Sequence, residues 1–432
     1  MKSLYDQYTF NVNKGPFHEP VDALPAGRPI DPAVRLIAYY LPQFHRIPEN
    51  DEWWGVGFTE WSNVTKALPR YVGHQQPRLP ADLGFYDLSH ADTLRRQAEL
   101  ARRGGIFGFC IHDYWFDGRK VLERPLQTLL DNADIDLPFC LNWANENWSR
   151  RWDGSEHSLL LEQRYDPDKP NGYVESIVEA LQDPRYIRIN GRPLIMVYRP
   201  KLIPNMARMA DSWREYLVGR GLGDPYLVMA QTFDDFDPRP YHLDAAAGFP
   251  PHNGGLNLPS RRRSLQLLDR RMTEGKAASY TEMAERTLAT RGDSYRLFPG
   301  VCPTWDNEAR RPGRGTSYFG STPQAYGDWL ERAMERASEE PDAEQRIVFI
   351  NAWNEWAEGA MLEPDRHYGH AYLAETRRRL DKVNRVPDTA SAPAAVRRPV
   401  QGMAKPSRWN YLRNASRDAR RKMLGMLSSR PR

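Results

Sequence analysis

The chain has 432 residues, 40% of them hydrophobic and 27% charged. That composition supports a sizeable core, excludes global disorder and leaves no apolar run long enough to span a bilayer. Sixty Lys and Arg against 56 Asp and Glu give a net charge of +4, too even a balance for nucleic-acid binding by the chain as a whole.

Residues 1–32 read as an N-terminal extension without the continuous apolar stretch of a secretory signal. The first short apolar run, 35–40, predicts a buried strand, and a long loop, 41–88, follows it with Trp53, Trp54, Phe58, Glu60 and Trp61. A helix is expected over 90–103, with Ser89 as cap, Asp92 completing a capping-box spacing and Gly104-Gly105 ending it. Strands at 106–112 and 137–142 then alternate with helices at 119–132 and 173–182, and strands at 194–198 and 226–230 with a helix at 207–220. The next crossover, 231–242, is too short for a proper helix. It leads to a strand at 243–248, a second long loop at 249–278 and a helix at 279–291. Strands at 297–302 and 346–352 flank a helix from Pro323 to about Ala337, where Thr322 suits the cap and Pro323 the first turn. A last helix is expected over 369–385.

Eight apolar strands alternating with helices predict a (β/α)8 TIM barrel over 33–385, with long βα loops. Beyond it, residues 386–432 read as a linker and a basic tail. Eleven Lys and Arg there face only Asp388 and Asp418, so the tail carries +9 and the body −5. A basic amphipathic helix from about 404 would suit peripheral contact with an anionic membrane; a solvated tail is the plain alternative. Cys110, Cys140 and Cys302 show no paired spacing and fit free thiols in a reducing compartment. Together these features read as cytoplasmic, with possible peripheral attachment to the inner membrane.

In a barrel of this kind the ends of the strands converge on one face, and each predicted strand runs into polar and aromatic side chains. In chain order they are Tyr40, Gln43 and His45; Trp54, Glu60 and Trp61 in the first long loop; His112, Asp113, Tyr114 and Trp115; Asn142, Trp143, Asn145, Glu146 and Trp148; Tyr198; Trp305 and Asp306; and Asn354 and Trp356. Indole faces stack on the CH-rich faces of sugars while amides and carboxylates bond their hydroxyls, so these residues are expected to bind an oligo- or polysaccharide. The strongest chemical signal is Glu355 and Glu358, three residues apart at the end of the last strand. Two carboxylates held close in a poorly solvated pocket have divergent pKa values, as glycosidic bond cleavage requires. The plain alternative is that Glu358 pairs with an arginine and Glu355 is solvated. No metal-ligand spacing, no nucleotide-binding glycine motif and no nucleophile elbow is present, so no metal, cofactor or nucleic-acid partner is expected.

The runs IAYYLPQFHRIPENDEWWGVGFTEW, FGFCIHDYWFDG, LPFCLNWANENWSRRWDG and FINAWNEWAEGAMLEP resemble the WbsX-type proteins of bacterial surface-polysaccharide gene clusters. That family is itself similar to the endo-α-mannosidase glycoside hydrolases, which implies a (β/α)8 barrel. The resemblance implies that Glu355 deprotonates the sugar 2-hydroxyl, which attacks the anomeric carbon to give an anhydro-sugar, while Glu358 serves as acid and then base, with retention. Ala357 stands where the mannosidase motif often has histidine. The expectation is a retaining glycan-active enzyme of O-antigen or capsule metabolism. The alternatives are a sugar-nucleotide-dependent glycosyltransferase and a carbohydrate-binding barrel without catalysis.

Overall fold

The computed structural model describes residues 3–27, 32–150, 155–269, 274–292 and 294–385. The basic tail and the helix expected from about 404 lie outside the described residues. Eight apolar segments form a parallel barrel. Its strands are β1 (Arg35–Tyr40), β2 (Gly108–Phe116), β3 (Phe139–Trp143), β4 (Arg192–Val197), β5 (Tyr226–Gln231), β6 (Ala245–Gly248), β7 (Arg296–Phe298), β8 (Gly300–Val301) and β9 (Ile347–Ile350). β7 and β8 are two halves of one barrel strand, interrupted at Pro299. β7 pairs with β6 and β8 with β9, and β9 pairs with β1 to close the ring. Nearly every strand residue is buried, because helices cover the outer face while side chains fill the inside, which is why the strands read as continuous apolar runs.

Between the strands run α1 (Ala91–Arg103), α2 (Arg124–Asp131), α3 (Gly172–Ser176), α4 (Val178–Gln182), α5 (Met206–Gly219), α6 (Tyr280–Ala289), α7 (Pro323–Ser338) and α8 (Ala371–Asn384). The crossover after β5 holds only the 3-10 turn Arg239–Tyr241, as its length requires. Thr322 caps α7 by accepting from Ala325 N. At α1 the expectation fails: His90 is the cap residue and Ser89 makes no capping bond. Instead the Asp87 side chain accepts from Ser89 N, and Thr93 Oγ1 donates to the Asp87 carbonyl, so an Asx turn holds the approach. The helix expected over 119–132 starts late because Arg119–Val121 folds back as a hairpin on the extended end of β2, and α3 and α4 split the stretch expected as one helix at 173–182.

Residues 3–27 lie against the barrel. Asn11 Nδ2 donates to the carbonyls of His74 and Gln76, and the Arg103 guanidinium donates to those of Val21 and Leu24. All three cysteines are buried and unpaired. Among the described residues no helix is long and apolar enough to cross a membrane.

Candidate active site

At the C-terminal ends of the strands lies a cleft of about 460 Å³, the size of a small-molecule or sugar site. Ten of the residues singled out from sequence line it: Gln43, Trp54, His112, Tyr114, Glu146, Trp148, Tyr198, Trp305, Glu355 and Glu358. His112 and Glu355 thus open on the same end of the barrel.

Glu355 and Glu358 belong to one tight hairpin. Asn354–Glu355 pairs antiparallel with Ala360–Met361, and a 3-10 turn, Trp356–Glu358, connects them. Gly359 closes the turn at φ +59, and a Cβ there would lie 3.1 Å from Asp306 and from the Arg78 guanidinium. Glycine is the residue that meets both demands.

Arg310 joins the carboxylates. Its Nη1 donates to Glu358 Oε1 at 2.7 Å, its Nη2 to Glu355 Oε2 at 3.1 Å and its Nε to Glu60 Oε1 at 3.1 Å. Burial opposes the charge on Arg310, but the three glutamates outweigh it and hold the guanidinium protonated. Glu355 is buried, and that burial pushes its pKa up to about 8; Arg310 works against the rise while Glu358 and Glu60 add to it. The arginine partner considered from sequence is therefore present, within the cleft rather than in solvent.

On β2 the pleat sorts the candidates. His112 and Tyr114 line the cleft, whereas Trp115 points to the opposite face, its ring 5.7 Å from Trp143 and 6.1 Å from Tyr173. Asp113 is buried 3.9 Å from Lys120 Nζ. Asn142 on β3 is buried behind His112, 3.0 Å from its Nδ1. Burial, helped by Arg310, brings the His112 pKa down to about 4, so its ring is neutral. Trp143 stacks on Tyr173 in the core, with ring centroids 4.6 Å apart. The inward tyrosine of β1 is Tyr39, stacked 5.8 Å from His112. Tyr40 faces outward, its hydroxyl 2.9 Å from Gln97 Oε1.

The remaining candidates shape the loops instead of lining the cleft. His45 Nδ1 is 2.8 Å from the Pro42 carbonyl. Trp61 Nε1 donates to the Tyr86 carbonyl, and Trp356 Nε1 donates to Glu363. The Asn145 amide donates to the Arg199 carbonyl and accepts from Arg199 N. Asn354 clasps both backbone groups of Leu41. Asp306 is held 2.6 Å from His74 Nε2. Glu60 does not line the cleft but bonds Arg310 and adds to the raised pKa of Glu355.

A model of the family described as Glycosyltransferase WbsX matches residues 36–376. The chain belongs to that family. Two proteins described as "Uncharacterized protein WxcX", from two strains of Xanthomonas campestris pv. campestris, are each 45% identical over 356 residues, covering 82% of this chain and 50% of theirs. The chain thus spans about half the length of the curated relatives it matches. Among solved structures, the fold is similar to the GH99 endo-alpha-mannosidase of Bacteroides thetaiotaomicron (TM-score 0.50, 16% identity, 81% of this chain and 97% of that one). It is also similar to a glycoside hydrolase-like protein (TM-score 0.53, 13% identity, 88% and 99%).

Several residues of this WbsX cleft gave no sequence signal. Arg310 lies in NEARRPGRG, outside any apolar run. Phe233, Phe249 and His252 come from loops after β5 and β6, and with Tyr198 they form an aromatic side. Phe249 is 5.4 Å from Tyr198, and Phe233 is 4.5 Å from His252. Arg199 sits 4.3 Å over Phe233 and pairs with Glu146. A two-stranded parallel ribbon, Lys276–Ser279 with Thr316–Phe319, forms another wall. Lys276 and Thr316 line the cleft, Ser317 and Phe319 line a separate hollow of about 250 Å³ shared with Gln7 and Phe10, and Tyr318 borders both. No group of residues able to hold a metal ion occurs among the described residues.

Proposed function

We propose that this chain is a retaining glycan-active enzyme that cleaves or transfers glycosidic bonds of a bacterial surface polysaccharide or its precursor. The observation that carries this reading is the placement of Glu355 and Glu358 in one hairpin on an aromatic-lined cleft, coupled through Arg310. In this reading Glu355, whose affinity for protons is raised, takes the proton of the sugar 2-hydroxyl. That oxygen attacks the anomeric carbon as the glycosidic bond breaks, and Glu358 protonates the departing oxygen. Water or an acceptor hydroxyl, deprotonated by Glu358, then opens the anhydro-sugar at the anomeric carbon, and Glu355 returns the proton to O2. Two inversions give net retention.

The family description supports a second reading, a sugar-nucleotide-dependent glycosyltransferase of lipopolysaccharide biosynthesis. Incubating the protein with O-antigen or capsule oligosaccharides, with and without nucleotide sugars, separates the two. Shortened products without a nucleotide support the first, strict dependence on a nucleotide sugar supports the second, and binding without turnover in either condition supports a carbohydrate-binding barrel.

A further inference from the structure

We infer that the ribbon wall of the cleft is a subsite for an anionic group of the substrate, a carboxylate or a phosphate. This rests on the reading of the cleft as a glycan site and names the class of glycan. Arg310 in the cleft is neutralised in place by Glu60, Glu355 and Glu358, and Arg199 by the cleft residue Glu146. Lys276 is not. Its half-buried ammonium donates to the Leu256 carbonyl at 2.5 Å and pairs with no carboxylate among the described residues.

The groups around it all offer donors, and only the Thr316 and Tyr318 hydroxyls could also accept. Trp305 and Tyr318 are buried cleft residues, and neither the indole Nε1 nor the phenol oxygen has a hydrogen-bond partner. Thr316 lies beside Lys276 in the ribbon register. Asn307 spends its carbonyl oxygen on Thr316 N, at 2.8 Å, which leaves its amide N–H groups. Arg311 completes the lining of this wall. A neutral sugar needs acceptors as well as donors, because each hydroxyl brings a hydrogen; an anionic oxygen needs donors alone. Buried polar atoms left without partners are costly and mark where a ligand would complete the set. The wall also adjoins the carboxylate hairpin: Tyr318 N donates to the Trp305 carbonyl at 3.0 Å and Asp306 N to the Glu358 carbonyl at 2.6 Å. The anionic group would therefore sit on a sugar at or next to the bond that reacts.

The test is protection of Lys276 from reductive methylation, read by peptide mass spectrometry on the full chain at constant ionic strength. The probes are glucuronate, inorganic phosphate and pyrophosphate, with glucose as the neutral control and exposed Lys169 as the internal reference. The expected result is several-fold slower labelling of Lys276, with Lys169 unchanged, in one class of anion. Protection by glucuronate identifies an acidic sugar, and protection by the phosphates a phosphorylated or diphosphate-linked one. Thr316→Val and Tyr318→Phe should each weaken it. Glucose protecting as well as the anions, no protection by any probe, equal slowing at Lys169 (an adventitious ion only) or full protection in both variants would each overturn the assignment. Because the readout needs no turnover, Glu355→Gln should keep the protection even where it abolishes activity, so the subsite and the catalytic reading fail separately.

Discussion

Glu60, wholly buried, accepts from Arg310 Nε at 3.1 Å and so fixes the guanidinium whose other nitrogens hold Glu355 and Glu358. A residue from the first long loop thereby sets the geometry of a carboxylate pair nearly 300 positions away. Removing Arg310 while leaving Glu60 strands a buried charge. Arg310→Met is expected to cost about 3–5 kcal/mol in urea denaturation, and the double variant with Glu60→Gln less than the two single losses combined. Strict additivity would mean that the two residues do not act as a unit.

For the carboxylate pair, Glu355→Gln and Glu358→Gln should each preserve the circular dichroism spectrum and lower turnover at least about 100-fold on a verified substrate. Wild-type turnover in either variant would remove that glutamate from the chemistry.

The pH dependence of stability has a defined sign. Glu355 is raised from 4.5 to about 8 and Glu363 to about 7, in both cases chiefly by burial. The folded state then binds more protons than the unfolded one across this range, so their contribution to stability is present below about pH 4.5 and declines as pH rises towards 8. His112 and His252, lowered by burial from 6.5 to about 4, act oppositely: their contribution is present above 6.5 and is lost as pH falls towards 4. The melting temperature of Glu355→Gln should therefore fall less than that of wild type between pH 5 and 8, which differential scanning fluorimetry measures.

The closure of the barrel is a packing constraint. A Cβ at Gly300 would lie 2.0 Å from the Gly248 carbonyl oxygen, so Gly300→Ala should destabilise by roughly 1–3 kcal/mol or more. Gly219, at the end of α5, is the control, because a Cβ added there would meet nothing within 4 Å. Gly219→Ala should leave stability unchanged or raise it by up to about 1 kcal/mol.

The charge of the tail, +9 from Val386 onward, predicts flotation with anionic liposomes at low salt, with about 1 kcal/mol from each basic residue near the surface. Loss of flotation at high salt would mark an electrostatic contact. Equal recovery of the full chain and a chain ending at Arg385 would exclude the membrane role.

The barrel was legible because a parallel sheet covered on both faces needs uninterrupted apolar runs, and each of the eight predicted strands overlaps an observed one. The site was legible in outline for the same reason: polar residues directly after such runs stand out. Finer placement depended on the two-residue pleat. Reading β2 as ending at His112 makes His112, Asp113, Tyr114 and Trp115 look alike, whereas the strand continues to Phe116 and sends alternate side chains to opposite faces. The same parity separates Tyr39 from Tyr40 and Asn142 from Trp143. Arg310 and Lys276 were illegible because their places are set by tertiary packing of loops, which leaves no local period.

The ribbon that carries Thr316 and Tyr318 separates the cleft from the hollow beside Gln7 and Phe10 by a single thickness of polypeptide. Ser317 and Phe319 line the hollow on the back of that partition. Efforts to change which glycan is accepted should randomise this outer face together with the inner one. Repacking behind a thin partition can move its front surface without exchanging any group that lines the cleft.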